Sequence, residues 1–235
     1  MEEAVLEYGM RRMSVLAIVL SPIAIFLTYS VLLLLHSTRD FALSMRGENR
    51  TIELLTFASL FLGGVLGLML AWKAKQSNEA CITYGFYLVF SIGLIATAME
   101  EIAWGQWFFG FETPLAWKGI NVQGELTLHN IRGIHGKTEF LRFAYGVGGL
   151  VGIWLARFPK LRLIGTPKIL LFWFLIISIH ATLDLHVQFF TIEYRIDNLI
   201  NLVSEFTELM IGISGFLYIW INTRRIGPNR NAVAL

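Results

Sequence analysis

Residues 13–35 read MSVLAIVLSPIAIFLTYSVLLLL, twenty-three positions without a formal charge. At about 1.5 Å of rise per residue, a helix of that length outreaches the ~30 Å hydrocarbon core of a bilayer. Arg11 and Arg12 precede the run, as the charged region of a secretion signal would. The run is too long for a signal's apolar segment and lacks a small-x-small cleavage site, so it reads as a retained first span.

Working outward, the same pattern recurs over 51–72, 81–104, 141–158, 167–190 and 199–222. The expected fold is therefore all-α, a polytopic integral membrane protein of about six transmembrane helices, with residues 1–235 as one membrane domain. Composition agrees: 55% of the 235 residues are hydrophobic and 15% charged, against roughly 25% charged in a soluble domain. The single Cys81 excludes an internal disulfide framework, and there is no paired Cys/His zinc pattern. A net charge of +2 with no basic run gives no reason to expect a nucleic-acid partner. The expected partner is the bilayer itself.

One long connection, 105–140, separates the third and fourth segments. Its first half, WFFGFETPLAW from Trp107, is aromatic and broken by Gly110 and Pro114. It reads as an interfacial or re-entrant piece, because Trp favours that depth. Its second half, NVQGELTLHNIRGIHGK from Asn121, is polar and punctuated by glycine. Gly63 with Gly67, and Gly148 with Gly152, form small-xxx-small pairs that let helix backbones approach in lipid. Counting Lys and Arg on alternate sides gives eleven against eight in favour of cytoplasmic termini in a plasma or inner membrane.

Ionisable residues inside the apolar segments carry the functional expectation. Glu100 and Glu101 close the third segment, His180, Asp184 and His186 the fifth, and Glu205 and Glu208 lie early in the sixth. Consecutive spans alternate direction, so all three groups fall in one leaflet, which also holds Glu125, His129 and His135 of the long connection. Each such charge at a helix centre costs about 2.5–3.5 kcal/mol, so these groups are expected to face the bundle interior or a wet cavity. His180 and Asp184 are four apart and Glu205 and Glu208 three apart, hence stacked on one face. Glu125 and His129 share that spacing if their segment is helical. His186 points roughly 200° from Asp184 and ranks below His180. A purely structural role, with Glu205 and Glu208 balancing Arg142 or Arg195, is the competing reading. His36 and His135 are taken as surface residues.

The order of these motifs resembles the CAAX-protease and bacteriocin-processing superfamily of glutamate-dependent intramembrane peptidases. The residues that carry the resemblance are Glu100 and Glu101 in EEIAWGQ, His129 in ELTLH, and His180 with Asp184 in HATLD. The arginine of the family's first motif is replaced by Gly105 and the phenylalanine of its second by Glu125. The family generally has more helices, and its CAAX-processing members open their site to the cytosol. The resemblance implies a membrane hydrolase, peptidase-like, in which Glu100 or Glu101 activates water against an amide bond. His129 would hold that water, and His180 and Asp184 would stabilise the oxyanion. The substrate would be a peptide or lipid at the membrane interface.

Two other classes stay open from the residues alone. Glu101, Glu125, His129, His180, Asp184 and Glu205 offer the ligand types that a divalent metal such as zinc takes, which would make a metal-dependent lipid or amide hydrolase. Alternatively, the polar groups serve a transporter-like or accessory membrane subunit.

Overall fold

The apolar run of 13–35 folds as a helix in a computed structural model that describes residues 2–47, 50–134, 137–189 and 192–226. A short α1 (Glu2–Tyr8) precedes α2 (Arg12–Leu34), which stops at Leu35, where the backbone turns extended. The next residues form α3 (His36–Ser44), at nine residues about 13 Å long and far too short to cross hydrocarbon. Then follow α4 (Thr51–Gln76) and α5 (Cys81–Glu101), an antiparallel hairpin. Two short helices, α6 (Gln106–Phe109) and α7 (Leu115–Ile120), lie within the long connection. The chain closes with α8 (Thr138–Leu155), α9 (Leu171–Asp184) and α10 (Tyr194–Asn222). Among the described residues there is no strand, only an isolated antiparallel bridge between Asn121 and Ile131.

Four of these helices, α2, α4, α5 and α10, are long and apolar enough to cross a membrane. The expected fourth and fifth spans also form helices, but α8 has 18 residues with Glu139 and Arg142 in its first turns, and α9 has 14. Fourteen residues cover about 21 Å, so α9 alone falls short of the hydrocarbon thickness. The third segment ends at Glu101 rather than 104. Ala103, Trp104 and Gly105 all take positive φ, which no continuing α-helix allows.

Packing is led by α4, which lies against α5 and α10; α10 also lies against α9, while α8 leans on α9 and α2 touches α9. Close approach is bought by small residues. A side chain on Gly64 would meet Ile95 at 2.5 Å, and one on Gly63 the backbone of Phe216 at 3.1 Å. Along α8 the packing glycines are Gly146 against Ser178, Gly149 against Phe174 and Gly152 against Thr166. Gly148, expected to pair with Gly152, faces open space instead. Outward faces of α2, α4 and α5 carry exposed Leu27, Val31, Leu62, Met69, Val89 and Ile92, an apolar surface far beyond what a water-soluble monomer displays.

Candidate functional site

Five elements bring charge to one end of the bundle. Glu53 begins α4, Glu100 and Glu101 end α5, Glu139 and Arg142 begin α8, His180 and Asp184 end α9, and Glu205 and Glu208 lie in the first half of α10. The expectation that acids and imidazoles from distant segments share one level therefore has direct contacts behind it.

The centre of that level is Arg142, only 11% exposed. Its Nη1 donates to Asp184 Oδ2 at 2.7 Å and to the Ser204 hydroxyl. Its Nη2 donates to Thr138 Oγ1 at 3.2 Å and lies 3.3 Å from Glu208 Oε1. One guanidinium thus cross-links α8, α9 and α10, using the forked donor geometry that lysine lacks. A second arginine, Arg46, reaches Glu205 Oε1 at 3.3 Å and the Asn201 carbonyl at 3.1 Å, while the Gly47 amide donates to Glu205 Oε2 at 3.0 Å. That set ties the chain after α3 to α10.

His180 and Asp184 share a helix face but not a hydrogen bond. The Nε2–H of His180 donates to the Ile200 carbonyl at 3.1 Å, and its buried Nδ1 has no hydrogen-bond partner among the described residues. Because a carbonyl only accepts, this contact sets the tautomer. His186 sits in a turn after α9, with Nδ1 against the Leu183 carbonyl and Nε2 3.3 Å from Asp197 Oδ1. It belongs to a separate contact, as its position on the helix implied.

Glu100 and Glu101 are adjacent and therefore about 100° apart around the helix axis, and they serve different neighbours. Glu100 turns to the long connection. Its Oε1 accepts from Trp104 Nε1 at 2.7 Å, and its Oε2 accepts from the amides of Leu128 and His129 at 2.6 and 3.2 Å. The same oxygen meets His129 Nδ1 at 3.2 Å, with the His129 ring 42% exposed. Glu101 turns inward, and its electrostatic neighbours are Glu208, Glu53, Arg142 and Glu205. Three carboxylates and one shared guanidinium surround it.

The connection that carries His129 is folded, not loose. Buried Asn121 donates to the Thr127 carbonyl at 2.8 Å and accepts from the amides of Gln123 and Glu125 at 2.9 and 3.2 Å. Gln106 bridges the two halves, donating to Thr113 Oγ1 at 2.6 Å and accepting from the Leu126 amide at 3.0 Å. Residues 121–130 are bends and turns, so Glu125 and His129 are not one helical turn apart. The aromatic half keeps Trp107, Phe108 and Phe109 exposed.

The structure thus divides the expected residues. Glu100 with His129 forms one contact set, Asp184 and Glu208 join on Arg142, Glu205 pairs with Arg46, and His180 binds backbone. Among the described residues, no three His, Cys, Asp or Glu groups come together to hold a metal ion, so Glu101, Glu125, His129, His180, Asp184 and Glu205 do not converge as the metal reading requires. His36 is exposed on α3, and His135 lies outside the described residues. Arg142 was expected only as a counter-charge for Glu205 or Glu208, and it does meet Glu208; its wider part as a hub, and Arg46, Glu53 and Asn121, escaped the sequence reading. A charge placed in the first turns of an apolar helix was the available signal for Glu53 and Arg142. No protein-family model, curated protein or solved structure matches the chain.

Proposed function

We propose that the chain is a membrane-embedded hydrolase that activates water against the amide bond of a peptide at the membrane interface. The supporting observation is His129, accessible on its loop and oriented by Glu100, at the rim of a cluster with more carboxylates than guanidiniums. With Nδ1–H given to Glu100, the ring presents Nε2 as an acceptor for a water hydrogen. Glu101 takes the second proton of that water as its oxygen attacks the carbonyl carbon. The C–N bond then breaks, and Glu101 returns the proton to the leaving nitrogen. Arg142 supplies the positive field in which the oxyanion forms. In this reading Asp184 and His180 are supports, since each already has a partner.

The fold on which this rests has six spans, α8 and α9 crossing with the other four, in a plasma or inner membrane with both termini cytoplasmic. The continuous helical turns on either side of α9, at Lys168–Leu170 and Leu185–Gln188, support the longer crossing.

The test uses quenched fluorescent peptides with apolar segments, added to the protein in phospholipid vesicles. Wild type is expected to cleave members of the set. Glu101→Gln and His129→Ala should each lower cleavage by about 10²–10⁴-fold with unchanged thermal unfolding. Cleavage surviving both substitutions, or an inert wild type, ends the proposal. A second reading is favoured by the ion pairs of Asp184, Glu205 and Glu208: an accessory membrane subunit in which the cluster only fastens helices. Inert wild type with intact folding is its expected result.

A further inference from the structure

Along α8 from Ala144 to Leu155, a cleft of about 280 Å³ runs between α5, α8, α9 and α10. Phe86 and Phe90 of α5, Tyr145 and Gly148 of α8, Phe174 of α9 and Tyr218 of α10 line it, together with Thr166. Its two tyrosine hydroxyls are already engaged. Tyr145 Oη donates to the Ile211 carbonyl at 3.2 Å, and Tyr218 Oη donates to the Ile164 carbonyl. Nothing in the cleft calls for a polar occupant.

The mouth lies where Phe86, Ala144 and Gly148 are exposed, beside the first third of α5, a helix able to cross the membrane. It therefore faces lipid tails, not water. From Ala144 to Leu155 the α8 wall is about 16 Å long, the reach of one acyl chain lying along the helix. The end beyond Leu155 is closed by the turn 156–166, which contributes Ile164, Gly165 and Thr166 to the lining and also carries exposed Arg157 and Lys160. An apolar slot whose closing turn carries two exposed cations outside the lining suits a lipid with an anionic headgroup. We infer that this cleft binds one anionic glycerophospholipid of the surrounding bilayer, its acyl chain along Gly148 and its phosphate at Arg157 and Lys160. The inference is independent of the proposed hydrolase.

The experiment places the full chain in vesicles of equal phosphatidylcholine and phosphatidylglycerol, extracts it in mild detergent, and weighs retained lipid by mass spectrometry. Wild type should retain phosphatidylglycerol several-fold over phosphatidylcholine. Gly148→Leu puts an isobutyl group into the slot, and since a Cβ there meets nothing within 4 Å, the protein should fold and lose the retained lipid. Arg157→Gln with Lys160→Gln alters only exposed positions and should keep a lipid while losing the preference for phosphatidylglycerol. Equal retention of the two lipids by wild type overturns the inference. So does undiminished phosphatidylglycerol on Gly148→Leu, or a second copy of the chain crosslinking across the cleft in place of lipid.

Discussion

The two ends of the bundle handle buried charge in opposite ways. At the end where α1 meets the close of α10, Arg225 is nearly buried and both its terminal nitrogens are engaged. It donates to Glu7 Oε1 at 3.0 Å, Tyr8 Oη at 2.6 Å, Asn222 Oδ1 at 2.9 Å and the carbonyls of Arg162 and Gly165 at 3.1 and 3.0 Å. Burial pushes the Tyr8 phenol above its ordinary value, so it stays neutral there. Two cations, Arg225 and Arg162, meet the one carboxylate of Glu7, so no acid is in surplus, and the remaining bonds of Arg225 go to neutral acceptors. At the other end, Arg142 answers to Asp184 and Glu208 together, with Glu101 and Glu53 close by. A balanced network holds a fold together. A network with surplus acid is what the proposed hydrolase requires, and that difference is why the proposal rests on the α5–α8–α10 end.

The largest expected effect comes from Arg142→Met. It leaves Asp184 and Glu208 without their shared cation, and losing one partner of a buried pair costs about 3–5 kcal/mol, read as a fall in detergent unfolding stability. A variant as stable as wild type would show that the acid end is not held by this hub. Arg225→Gln comes next, at about 2–3 kcal/mol from lost charge-assisted hydrogen bonds, with any cleavage activity of the folded fraction retained. Loss of activity out of proportion to stability would erase the contrast between the two ends.

Glu100→Ala should cost less, about 1–2 kcal/mol for two amide donors and a histidine left without their acceptor. Its signature is local: faster proteolysis within 121–134, with the helices intact. If that segment stays resistant, the Asn121 and Gln106 bonds alone hold it and His129 is not positioned by Glu100. The smallest stability effect belongs to Glu101→Gln, which should leave unfolding unchanged or slightly improved, because it removes one of several like charges. A drop comparable to that of Arg142→Met would mean that Glu101 is a structural ligand.

The spans show how unevenly sequence speaks. The run at 13–35 and the helices α4, α5 and α10 were legible because hydropathy accumulates along a segment and needs no neighbour. The endings were not. Cys81–Glu101 stops three residues short of the apolar run because Ala103 and Trp104 enter the left-handed region, a choice made by the loop folding back onto Glu100. Likewise, Gly148 and Gly152 carry the spacing of a packing pair, yet only Gly152 packs. Which side of α8 meets α9 depends on rotation about the helix axis, and a spacing rule does not contain that angle.

Residue order alone determined that the chain has membrane-length apolar helices, and it led to the expectation that acids and imidazoles gather at one level, since alternating helices return to the same side. Only the tertiary structure decided who meets whom: Glu100 with His129, Glu101 among carboxylates, Asp184 with Arg142 in place of His180. Hydropathy is a local sum over consecutive residues. A pairing depends on the relative rotation and depth of two helices, and those are set by every side chain packed between them.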